Sequence, residues 1–413
     1  MAAQSSTSIA SAAFAKNWLF GLTNRQAGQD FIPLKPHRQG LRLRKGLAWC
    51  GGFLLWLLLV LPAQAAVELR VAIAQGNDDI TVGSSTSGII SDGNGRALFR
   101  LPELQGISIA DSDNDVDLVS GGNALAASSA FWLEPSDDGF VWIGDKWYRG
   151  KVQVTLEDGE LTAINHVELE DYLYSVVGSE MPTSWPQAAL QSQAVAARSY
   201  ALFKRSRSTK PLYDVDATTN YQVYKGIQQE HPNTIAAVDA TANKVITHNG
   251  QIIEAIFHSS SGGFTENAGE VWSKDVPYLQ GVEDFDHSSP VFSWEAAFTL
   301  AEFSEKIGVG EVKRIGEPKL SSGGRVVTIE IEGKEGTKTM RGRDVRAALR
   351  LRSTRFNIEI DEEKEMVAVT GSGFGHGVGM SQWGARSLAD QGWSFEQILQ
   401  HYYRSTVVAL LDS

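Results

Sequence analysis

Four short polar clusters in this sequence combine reactive side chains with glycine, proline or a turn, which is where a backbone approaches a ligand closely. They are Glu180 with Arg198 and Tyr200, the run "TTNYQVYKG" from Thr218 to Gly226, "FHSSSGG" from Phe257 to Gly263, and "GFGHGVGMSQWGA" from Gly373 to Ala385. Glu180 stands in "GSEMPTSWP", where Met181, Pro182 and Trp185 could desolvate a carboxylic acid and hold it protonated. A helix beginning just downstream would instead favour the anion through its dipole, so the two pulls oppose each other. His258 precedes three serines, but neighbours on a strand point to opposite faces, so His258 and Ser259 do not form a nucleophile pair. No G-x-S-x-G elbow accompanies them. His376 lies among Gly373, Gly375, Gly377 and Gly379, a loop that could wrap a polar ligand but lacks the Lys-Ser/Thr step of a phosphate loop. There is no H-e-x-x-H-type spacing, and no metal or cofactor is expected.

Positioning these clusters requires a scaffold of mixed type. "VELRVAIA" alternates as a strand, and "KVQVTLEDGELTAINHVEL" predicts a hairpin turning at "EDGE", with Val152, Val154 and Leu156 on one face. From Pro186 to Lys204 the spacing predicts a helix with Leu190, Ala194, Ala197 and Ala201 on one stripe. Ser184 is the candidate N-cap, which would leave Glu180 on the loop before it. "THNGQ" predicts a second hairpin, and a charge-rich segment from Ser289 onward predicts a smaller inserted unit. The fold class is α+β: leader 1–66, β-rich domain 67–144, a core in two parts (145–288 and 351–413), and an inserted α/β unit 289–350.

Cys50 is the only cysteine in the 413 residues, so the body offers no disulfide or cysteine nucleophile. It lies in "GLAWCGGFLLWLLLVL", an apolar run behind Arg42, Arg44 and Lys45 and before "AQAA", the layout of a secretory signal cleaved near Ala65. Retention as an inner-membrane anchor is the alternative. The chain is at −12, and residues 1–66 carry a net of +6, which leaves −18 for the body. That balance argues against nucleic acid as a partner and for a neutral or cationic one outside the cytoplasm, in the periplasm or cell envelope.

Taken in order, "YLYSVVGSEMPTSWPQAALQSQAVAARSYAL", "TTNYQVYKG", "FHSSSGGFTENAGEVW", "YLQGVED", "GRDVRAALRLRSTRF", "GFGHGVGMSQWGA" and "ILQHYYRST" resemble the SpoIID/LytB family of bacterial cell-wall proteins. The resemblance spans nearly all of residues 145–407. It implies a lytic transglycosylase acting on peptidoglycan glycan strands, with Glu180 matching the glutamate of the family's E-M-P motif. A glycosidase normally needs two carboxylates. A lytic transglycosylase can use one, because the C6 hydroxyl of the sugar itself attacks the anomeric carbon and closes a 1,6-anhydro ring. Arg198, Tyr200, Gln222, Tyr224, His258, Ser259, His376 and Gln382 would serve sugar hydroxyls and acetamido groups, and Trp185 and Trp383 would face pyranose rings. For Trp272 core packing is favoured. Some members carry a His-Cys pair and an upstream cysteine suited to zinc, where this chain has Asn220, Tyr221 and Val215. The competing function is a non-catalytic wall binder that enhances a separate N-acetylmuramoyl-L-alanine amidase.

Overall fold

The computed structural model describes residues 67–112, 115–218 and 221–411. The expected signal or anchor, and Asn220, lie outside the described residues. The chain divides into two compact units, one formed within residues 67–175 and 208–229 and the other within 176–207 and 230–411.

The first unit is a pair of packed sheets. One runs in the order Val215–Asp216, Glu68–Gln75, Glu160–Glu168, Lys151–Glu157, Ala130–Pro135, Gly88–Asp92 and Ala97–Leu101. The other runs Lys146–Tyr148, Val141–Ile143, Asp79–Ser84, Gly106–Ser112, Asp115–Ser120 and Asn123–Ser128. Alternation buries Val71, Leu133, Val152 and Val154 from one sheet and Val82, Ile109 and Leu118 from the other, the pattern of two sheets sharing one core. The hairpin at "EDGE" forms as expected: Asp158 and Gly159 both have positive φ, at 53° and 82°, as a two-residue turn of this hand requires. Its strands pair with Glu68–Gln75 and Ala130–Pro135, so the β-rich unit extends well past residue 144.

The second unit is built around a long helix. Helix α1 (Leu169–Glu180) leads toward it, and α2 (Gln187–Arg207) is its centre. Ala189, Leu190, Ala194, Ala197 and Ala201 on α2 are all 0% exposed. Such small side chains let neighbouring backbones come close, and α2 packs against α3 (Pro232–Asp239), the strand Lys244–His248, and two helices near the C-terminal end of the chain. A short helix α4 (Ala268–Trp272) follows the Gly262–Gly263 turn. Strand Phe257–His258 pairs in parallel with Met380–Ser381, which leads into α7 (Gln382–Asp390) and α8 (Phe395–Tyr402), numbered after two helices of the insert.

Those two are α5 (Leu300–Ile307) and α6 (Gly342–Leu349). Thr299 and Glu302 close a capping box on α5 and Gly308 ends it at φ 72°. The insert has its own core, in which Trp294, Phe303, Ile331 and Val345 join Phe356, Ile358, Val367 and Val369. Strand Met366–Ser372 pairs with both Ser293–Thr299 and Phe356–Asp361. The insert therefore ends near Ser372 and not at 350, because the strands that close its sheet come after α6.

Candidate functional site

Glu180 is the last residue of α1, not a residue of the loop beyond it. The stripe Tyr172, Leu173, Val176 and Val177 is fully buried and the pattern continues into Met181, which carries the helix to Glu180. Met181 N–H still donates to Val177 O at 3.0 Å. Ser184 lies inside the next turn, closed by Trp185 N–H donating to Pro182 O at 3.0 Å, and α2 starts only at Gln187. Asn233 Nδ2 donates to Thr183 O at 3.0 Å and Gln187 Nε2 donates to Asn233 O at 3.0 Å, so α3 holds the turn in place. The carboxylate consequently sits at the negative pole of α1, where a helix disfavours an anion.

Gln382, the first residue of α7, donates from Nε2 to Glu180 Oε2 at 3.3 Å. Its backbone is fixed because Ser381 caps α7, accepting from Gly384 N–H at 3.2 Å. Next to it, Trp383 N–H donates to Ser259 O at 3.0 Å. The Trp383 ring meets Trp185 edge to face at 4.9 Å, and the Arg386 guanidinium lies 4.9 Å from the Trp383 ring and 5.6 Å from that of Trp185. Glu180, Gln382, Ser259, Trp185 and Trp383 thus belong to one framework, with an amide on one side of the carboxylate and aromatic faces nearby.

The glycine-rich loop returns behind this framework. Gly373, Gly375, Gly377 and Gly379 all have positive φ, and a Cβ on Gly379 would overlap Ile256 O, so a larger residue is excluded there. His258 Nδ1–H donates to Val378 O at 3.1 Å, and His376 Nδ1 accepts from Val378 N–H at 3.1 Å. The two imidazoles lie 5.3 Å apart, and His376 lies 5.3 Å from Trp272. Burial, then the neighbouring His376 and Arg325, push the His258 imidazole well below its usual range. Burial, then Arg325 and Arg346, push His376 down to about 4. Both rings are therefore neutral hydrogen-bonding groups at neutral pH. Trp272 is 41% exposed beside His376, contrary to the core packing favoured from sequence.

Other expected sugar contacts are interior residues. Arg198 is 0% exposed and donates to Lys244 O at 3.0 Å and Val238 O at 3.4 Å, bracing α2 against α3 and its following strand. Tyr200 is buried under Lys204, whose ammonium lies 5.0 Å from the ring centre. Gln222 and Tyr224 are buried in the β-rich unit, where Tyr172 OH donates to Gln222 Oε1 at 3.2 Å and Tyr224 OH donates to Asn165 Oδ1 at 2.9 Å. Burial removes Arg198, Gln222 and Tyr224 from the set of groups that can meet a sugar in this conformation, while Tyr200 and Trp185 each keep a 9% exposed edge.

Sequence reasoning passed over two acids. Asp286 accepts from Gly262 N–H at 2.8 Å, from Gly263 N–H at 2.9 Å and from Ser260 Oγ. Asp284 accepts from Tyr402 OH at 2.6 Å, from Phe285 N–H at 2.8 Å and from Ser261 Oγ, and burial followed by Asp286 raises its carboxyl above the ordinary range. Their signal was "VEDFDHSS", acids spaced two apart in a segment otherwise read only as a motif match. Arg386, one turn beyond Gln382 on α7, was passed over as well. Among the described residues no group of three or more His, Cys, Asp or Glu is arranged to hold a metal ion.

Comparison with known proteins agrees with the motif order. Residues 157–248 match the family described as Stage II sporulation protein (SpoIID), and residues 276–379 match a domain of unknown function, DUF8618. The chain is 36% identical over 270 residues to Stage II sporulation protein D of Bacillus subtilis, covering 61% of this chain and 77% of that protein. It is 32% identical over 275 residues to an uncharacterized protein of Brachyspira hyodysenteriae, covering 65% and 73%. It is 30% identical over 290 residues to the Amidase enhancer of Bacillus subtilis, covering 57% of this chain and 40% of that protein. With its ordered motifs and 77% coverage of a relative at 36% identity, the chain belongs to the SpoIID/LytB family.

Proposed function

We propose that this protein is a peptidoglycan lytic transglycosylase in which Glu180 is the single acid and base, acting in cell-wall remodelling or a sporulation-type process. The observation that carries the reading is the partly exposed carboxylate at the end of α1, hydrogen-bonded to Gln382, whose neighbour Trp383 packs against Trp185. Three acids behind this framework, Glu266, Asp284 and Asp286, are each at most 1% exposed and committed to interior hydrogen bonds, so these three do not offer a base to an attacking water. In the proposed reaction Glu180 gives its proton to the glycosidic oxygen as the bond to the anomeric carbon breaks. The resulting carboxylate takes the proton of the C6 hydroxyl as that oxygen closes the 1,6-anhydro ring. The proton balance closes on one residue, and no water is consumed. Gln382 holds the carboxyl in place in either state, while the tryptophan faces suit the apolar faces of pyranose rings.

A second reading is favoured by the similarity to a protein named Amidase enhancer: the same face would bind glycan and assist a separate amidase. Purified protein and its Glu180→Gln variant, incubated with intact and amidase-treated peptidoglycan, separate the readings by product mass. Anhydro-muramyl ends from the native protein alone support the transglycosylase. Reducing ends would mean hydrolysis, and wall binding without soluble product would favour the enhancer.

A further inference from the structure

The insert sends two cations out of its own core. Arg325, which precedes strand Val326–Gly333, is 2% exposed, and its Nη2 donates to Ser261 O at 2.9 Å while Nη1 donates to Gly375 O at 3.3 Å. Arg355 Nη1 donates to Gly262 O at 2.7 Å. These carbonyls belong to the two loops that carry the polar face of the site: the turn after His258 and the glycine loop that contains His376. The loops also exchange a pair of backbone hydrogen bonds between Ser260 and Phe374, at 3.1 and 2.7 Å. At Gly377 a Cβ would overlap the Arg325 guanidinium, so the glycine loop is shaped to receive this side chain.

We propose that the inserted unit is a working part of the site, with Arg325 as a positioning residue that fixes the turn 259–263 relative to the loop 373–379 and so sets where His258 and His376 stand. An appendage folding only around its own core needs no buried cation aimed outward. Burying a guanidinium is costly, and the acceptors that offset the cost here lie on the other two loops. Glu266 opposes the charge, but Arg325 Nε is 3.7 Å from Glu266 Oε1, and Arg325 Nε and Glu266 Oε2 lack hydrogen-bond partners. The guanidinium thus makes its hydrogen bonds to the loops and not to its own counter-ion. A planar fork can span two carbonyls where the point charge of a lysine cannot.

The inference rests on reading the face around Glu180 as the glycan site, and its test has a readout that does not need catalysis. Hydrogen exchange would be followed in the full chain for Arg325→Lys and for the charge-compensated pair Arg325→Met with Glu266→Gln, which guards against misfolding from an unpaired buried acid. We expect exchange in residues 259–263 and 373–379 to rise about tenfold, the loss expected for charge-assisted hydrogen bonds. Protection of the insert core at Ile329, Ile331 and Val367 should hold. Cleavage of amidase-treated glycan should fall in kcat with KM little changed, and Arg325→Lys should lie between the pair and the native protein. Unchanged loop exchange, or exchange rising equally in the insert core, would overturn the proposal. Looser loops with unchanged kcat would overturn it too. If the native protein cleaves nothing, the transglycosylase reading fails, and exchange together with glycan affinity still decides the role of Arg325.

Discussion

Glu180 and Asp286 are both carboxyl groups at the edge of a turn in the same unit, yet they are built for opposite purposes. Asp286 is 0% exposed and receives two backbone N–H groups and a serine hydroxyl, so it locks the Ser260–Gly263 turn. Glu180 keeps solvent access, receives a side-chain amide at 3.3 Å, and sits at a helix end that does not favour its charge. An acid whose acceptor sites are filled by the fold stabilises that fold. One that stays partly exposed to solvent can exchange a proton with a ligand.

The comparison breaks most visibly through stability. Asp286→Ala should cost about 3–5 kcal/mol, since it strands two buried N–H groups and a hydroxyl, and urea unfolding measures it. A loss near zero would show that the turn does not depend on this acid. Acid pH should act through the histidines behind the site. The folded-state pKa of His376 is held down to about 4 against an ordinary 6.5, so the unfolded chain takes up the proton first as pH falls. Its contribution is fully present above 6.5 and is lost progressively toward 4, on the order of 3 kcal/mol in all. Thermal unfolding across that range should lose part of its slope in His376→Gln. Trp383→Ala should weaken glycan pelleting by roughly 1 kcal/mol, about fivefold, because it removes a stacking face and its contact with Arg386. The smallest effect should be that of Glu180→Gln on unfolding, within about 0.5 kcal/mol, as the side chain is partly exposed and the amide keeps its size and shape.

Local features of the fold were legible because local chemistry determines them. The Asp158-Gly159 and Asn249-Gly250 turns and the alanine stripe of α2 each follow from a few adjacent residues. The end of α1 was misjudged because tertiary burial of Val177 and Met181 extends the helix past the point where Met-Pro suggests a stop. Motif matching singled out Arg198, Gln222 and Tyr224 as residues that count, without revealing that they face inward. Asp284, Asp286 and Arg325 act across 23 to 118 residues of sequence, and no local pattern encodes such pairings. The boundary of the insert was hidden for a related reason: its closing strands, Phe356–Asp361 and Met366–Ser372, are contributed after α6.

The most direct test of the single-carboxylate account is to digest amidase-treated peptidoglycan in water labelled with heavy oxygen and weigh the new glycan ends. Intramolecular attack by the C6 hydroxyl takes no atom from solvent, so the account predicts anhydro ends with no label, formed by the native protein and absent with Glu180→Gln. Reducing ends carrying the solvent label would contradict it, because they would require an activated water and a second group to activate it.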